Sequence, residues 1–101
     1  MVLADIAQLI RSKNAGPFTL TFDILFADLA SYQRVKDSGA LNPAAFAELY
    51  RCSIEKVRFF ECKNALAFKF SIPRPIPQGE LGDGDSHGGQ QFIPLMNVKI
   101  P

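Results

Sequence analysis

The chain is 101 residues long, 48% hydrophobic, and carries 11 basic against 10 acidic side chains, for a net charge of +1. That length holds one core and not two, so residues 1–101 are expected to form a single domain that needs neither a disulfide nor a structural metal. The near balance of charge argues against the strongly basic footprint of a nucleic-acid binder, and no apolar run approaches a membrane span.

Residues 3–10 place Leu3, Ile6, Ala7, Leu9 and Ile10 on one helical stripe, which predicts a helix. Its end is expected within residues 11–17, where Arg11 and Lys13 suit a helix C-terminus, Asn14 or Gly16 can turn left-handed, and Pro17 blocks continuation. Asp5 interrupts the N-terminal stretch, which lacks the apolar core of a signal peptide, so a reducing cytoplasm is the expected compartment.

Residues 18–26 alternate without a break. Phe18, Leu20, Phe22, Ile24 and Phe26 point one way and Thr19, Thr21 and Asp23 the other, the pattern of a half-buried strand. Asp28 then caps a helix over residues 29–38 that Gly39 terminates, and Asn42 followed by Pro43 opens a second helix through Phe46, Leu49 and Tyr50. Ser53 starts one further short turn over residues 54–56. Residues 57–62 and 65–72 read as a hairpin joined at Lys63 and Asn64, with Leu66, Phe68, Phe70 and Ile72 on one side of its second arm. A last strand is expected over about residues 95–100, with Met96, Val98 and Ile100 inward.

Every strand buries one face only, so helices should pack on that face of the sheet. The fold expected is α+β: a two-layer sandwich with a ferredoxin-like, mainly antiparallel four-stranded sheet and helices on one side. Nine phenylalanines and no tryptophan imply a core of flat rings. Cys52 and Cys62 lie ten apart, which is no metal-pair spacing, and read as reduced thiols acting as small apolar residues.

Two segments hold candidate chemistry. In residues 73–91, PRPIPQGELGDGDSHGGQQ, three alternating prolines stiffen the first part and glycines permit close backbone approach to a ligand. A loop of this length is generally functional or disordered. Asp83, Asp85 and His87 alternate there but supply too few ligands for a metal site, and no cofactor is implied. His87 and Asp85 are the candidate catalytic acid/base groups, since histidine titrates near neutrality. Asp83, Gln90 and Gln91 are candidate ligand contacts, and Arg74, fixed between prolines, is a candidate anion contact. The second segment, Arg11, Ser12, Lys13 and Asn14, offers two cations, a hydroxyl and an amide to a carboxylate or phosphate, although helix termination explains the same residue types. Asp23, on the polar side of its strand, is expected to pair with Lys69 or Lys99. Phe59 and Phe60 point to opposite faces, which leaves one ring for an interface.

The strings RSKNAGPFTLTFDILF (residues 11–26), IPRPIP (residues 72–77) and GDGDSHGGQQ (residues 82–91) resemble a family of small proteins of unknown function. That family is grouped with the AtuA-like ferredoxin-fold domains, named for acyclic terpene utilisation protein A. The resemblance implies a stand-alone version of, or a companion to, the small domain that follows a larger AtuA-type domain, in a setting of organic-acid or acyl-compound catabolism. It carries no catalytic residue onto a position here.

The function expected is a non-catalytic binding or accessory subunit, partnered by a larger AtuA-like protein or a second copy, with a small carboxylate as possible ligand. The alternatives are a small lyase, hydratase or isomerase with its site at a homo-oligomer interface, and a small-ligand sensor. Neither nucleic acid nor membrane is an expected partner.

Overall fold

In the computed structural model, which describes residues 1–15, 19–73 and 93–101, the alternating and capped segments assemble in a simple order. The chain runs through α1 (Leu3–Ile6), β1 (Leu9–Asn14), β2 (Thr19–Leu25), α2 (Leu29–Ser38) and α3 (Pro43–Tyr50). A 3₁₀ turn (Ile54–Lys56), β3 (Arg58–Cys62), a second 3₁₀ turn (Lys63–Ala65), β4 (Ala67–Pro73) and α4 (Ile93–Met96) follow. The four strands form one antiparallel sheet in the order β1-β2-β4-β3, two hairpins joined through β2 and β4 at the centre, with β1 and β3 outermost among the described strands. The α+β class, a four-stranded antiparallel sheet and the helices on one face are as expected, although only three of the four strands are those read from the sequence.

The core is an aromatic layer between sheet and helices. Leu20, Phe22 and Ile24 of β2 and Phe68, Phe70 and Ile72 of β4 are buried on the inner face. Phe46 of α3 stacks on Phe70 at 4.1 Å and meets Phe22 edge-on at 4.9 Å, while Tyr32 of α2 stacks on Phe68 at 4.8 Å. Such ring pairs each add to the area term by about 0.5–1.5 kcal/mol.

Both long helices start and stop as their sequences dictate. The Asp28 carboxylate accepts from the Ser31 N–H at 2.8 Å, and the Asn42 side-chain oxygen accepts from the Ala45 N–H at 2.8 Å. Gly39 ends α2 at φ 70°, the left-handed region that favours glycine. Arg51 ends α3 in the same region at φ 55°, which a side chain makes less comfortable.

Two expectations are corrected. The N-terminal helix is one turn long, and residues 9–14 are a strand rather than a helix and its terminating turn. An eight-residue helix is marginal alone, whereas β1 aligns six residues with β2, from Leu9 opposite Leu25 to Asn14 opposite Leu20. At the other end, residues 93–96 are helical and only one antiparallel bridge, Val2 with Lys99, stands where a strand was expected. Pro94 sits in the first turn of α4, where its missing N–H costs nothing. Leu95 and Ile100 are the buried residues of this segment, whereas Met96 is 37% exposed. No helix among the described residues is long and apolar enough to cross a membrane.

Candidate functional site

Directly opposed residues in an antiparallel sheet share a face. The register therefore brings four rows together on the outer face, away from α2 and α3. Leu9, Leu25, Ala67 and Cys62 form the first row, and Arg11, Asp23, Lys69 and Phe60 the second. Lys13, Thr21, Ser71 and Arg58 form the third, and Thr19 with Pro73 the fourth. The face thus grades from apolar, through charged, to hydroxyl and cationic.

Its centre is Asp23, only 5% exposed although it stands on the face away from α2 and α3. The Arg11 Nε–H donates to Asp23 Oδ2 at 3.0 Å, and Lys69 Nζ lies 3.8 Å from Oδ1. Burying a carboxylate is costly unless it is paired, and here one neighbour on each side supplies a cation. The bond to Asp23 uses one of five N–H donors of the guanidinium and holds that fork in place. Both cationic side chains remain about half exposed. Lys69 was expected as the partner of Asp23. Arg11 was not, because its segment read as a helix end rather than as the strand beside β2, and Lys99 instead lies in the bridge to Val2.

Arg11, Lys13, Arg58 and Lys69 share this face with one carboxylate, Asp23, so it is distinctly positive on a chain of net charge +1. Phe60 stands among them with 52% of its surface exposed, while Phe59 turns inward and stacks on Phe70 at 4.6 Å. That is the split expected for the two rings.

The candidate ligand residues of β1 are divided by the pleat. Arg11 and Lys13 lie on the outer face, whereas Ser12 opposes Phe22 on the inner face and is buried. The backbone of Asn14 pairs with that of Leu20. Arg74, Asp83, Asp85, His87, Gln90 and Gln91 lie outside the described residues. Among the described residues no group of three or more His, Cys, Asp or Glu side chains could hold a metal ion, and Cys52 and Cys62 are both half-buried free thiols. Burial pushes the Cys52 thiol up, away from the thiolate form that reacts.

Three further concavities bear on function. A cavity of about 150 Å³ lies against the Asp23 cluster, bordered by Arg11, Cys62 and Lys69. A larger one of about 550 Å³ opens where β2, β4 and the start of β3 meet. On the helical side, Leu41, Phe46, Leu49, Leu95 and Val98 border an apolar groove of about 440 Å³. Sequence reasoning missed Arg58 and Lys56, which border the 550 Å³ cavity and its rim. Their signal was the alternation of Lys56 and Arg58 about Val57, legible only once Val57 is known to be buried.

No curated protein and no solved structure matches the chain. A family model described as a domain of unknown function, DUF4387, matches residues 3–99, which include both hairpins and the positive face they build, and the chain belongs to that family.

Proposed function

We propose that the protein is a binding or accessory subunit that docks through its outer sheet face on a larger partner with an acidic surface. The observation that carries this reading is the composition of that face. Arg11, Lys13, Arg58 and Lys69 share the face with one carboxylate, and the half-exposed ring of Phe60 stands on it too. Exposed aromatic and arginine side chains are the groups that interfaces favour. Complementary charge would steer the approach of an acidic partner. A second copy is a poor occupant of the same face, because like charges would meet. The resemblance of residues 11–26, 72–77 and 82–91 to AtuA-associated small proteins supports an AtuA-type protein, acting on organic acids or acyl compounds, as that partner.

The test is co-purification with a larger AtuA-type protein at low and high salt. Lys13→Glu combined with Phe60→Ser changes two outer-face side chains that do not pack in the core, so the fold should survive. The association is expected to fall at least tenfold in the double variant and to weaken with added salt. Undiminished association in that variant, or turnover of an acyl substrate by the chain alone, would sink the proposal.

A further inference from the structure

The 550 Å³ cavity at the end of the sheet is within the range of small-molecule sites, roughly 300–1,000 Å³. Its construction follows from one buried residue. Val57, 9% exposed, anchors the chain between the 3₁₀ turn and β3 in an extended conformation, φ −87° and ψ 123°. Lys56, the last residue of the 3₁₀ turn, and Arg58, the first of β3, flank it, and Arg58 projects to the face opposite the buried side chain. Both border the cavity. Across the sheet Arg58 opposes Ser71, and Thr19 opposes Pro73, so two hydroxyls and a proline ring complete the wall.

Two cations held side by side repel one another unless something neutralises them. Glu55 at the rim offsets one charge and leaves the lining with one net positive charge. Both ion pairs among the described residues belong to Asp23, so neither Lys56 nor Arg58 pairs with a described carboxylate. The hydroxyls of Thr19 and Ser71 can donate to an anion. The Pro73 ring and the alkyl stems of Lys56 and Arg58 offer apolar surface beside the charged heads. That apolar wall is of no use to a bare inorganic ion.

We infer that this cavity binds a small organic monoanion, a carboxylate carrying a short aliphatic chain, with the carboxylate on Lys56 and Arg58 and the chain along Pro73. Arg58, Ser71, Thr19 and Pro73 belong to the outer face as well, so the site is read on the free chain, where no partner lies over it, and it does not rest on the docking proposal.

The experiment is a backbone amide NMR titration of the full chain with hexanoate, and in parallel with inorganic phosphate. Saturable shifts are expected at Lys56, Arg58 and Ser71, with Leu9 at the far end of the face unmoved. Arg58→Gln should weaken hexanoate about tenfold, as loss of one charge-assisted contact at a partly exposed site does, and Lys56→Gln/Arg58→Gln should abolish saturation. Lys13→Glu/Phe60→Ser, which tests docking, should leave the titration unchanged. The inference is overturned if hexanoate gives no saturable shifts or if the Lys56→Gln/Arg58→Gln chain still binds. Phosphate binding as tightly as hexanoate would overturn it too, since the apolar wall would then play no part.

Discussion

Asp23 is the residue on which the outer face depends. A carboxylate this buried holds its place because Arg11 and Lys69 bracket it, and the two brackets are unequal. Arg11 makes a hydrogen bond at 3.0 Å, whereas Lys69 approaches only to 3.8 Å. Arg11→Ala is therefore expected to lower stability by about 1–2 kcal/mol, and Lys69→Ala by less than that, because half-exposed cations contribute modestly. Urea denaturation of both variants checks the order, and a larger loss for Lys69→Ala would refute it. Tyr32 is the opposite case. Its ring is fully buried, its hydroxyl has no hydrogen-bond partner among the described residues, and burial raises its pKa. The ring rather than the hydroxyl carries its contribution to the core.

At the scale of elements, α2 is delimited by two local devices, a carboxylate at one end and a glycine at the other. The Ser31 N–H bond holds the Asp28 carboxyl below its ordinary value of 3.8. A carboxyl with a lower pKa folded than unfolded stabilises the fold fully above the unfolded value. That contribution is lost as pH falls through the folded value. Asparagine caps as well as aspartate but does not titrate, so Asp28→Asn should flatten the acid limb. Melting temperatures from neutral pH to about pH 2 are expected to fall less for this variant than for the parent. Parallel acid slopes would show that the cap does not act through its charge. β1 shows where element-level reasoning fails. Its residues fit a helical stripe as well as an alternation, and only the free edge of β2 decides between them.

For the whole molecule, aromatic rings join the sheet to the helices. Phe46 touches Phe22, Tyr50 and Phe70, and so ties α3 to both central strands. Phe46→Ala should cost about 3–5 kcal/mol, a large share of the roughly 5–15 kcal/mol that stabilises a domain of this kind. The denaturation midpoint should fall steeply, with the β2 and β4 amides losing hydrogen-exchange protection together. A loss below about 1 kcal/mol would mean that α3 is not integral to the core. Closing one face with aromatics leaves the outer face, among the described residues, as the broad sheet surface for a partner or ligand, so the layer that stabilises the protein also bears on where it can act.

The α+β class, the caps of α2 and α3, the β3–β4 hairpin and the alternation of β2 were determined by sequence alone. Each rests on local chemistry: an aspartate or asparagine before a helix, a glycine after one, a period of two along a strand. Tertiary structure decided the rest. It recruited residues 9–14 to the sheet, made residues 93–96 helical, and set Arg11 beside Asp23 and Arg58 beside Ser71. Strand order and register depend on which edges remain unpaired once the core has formed, and that is a property of the assembled chain rather than of any stretch of residues within it.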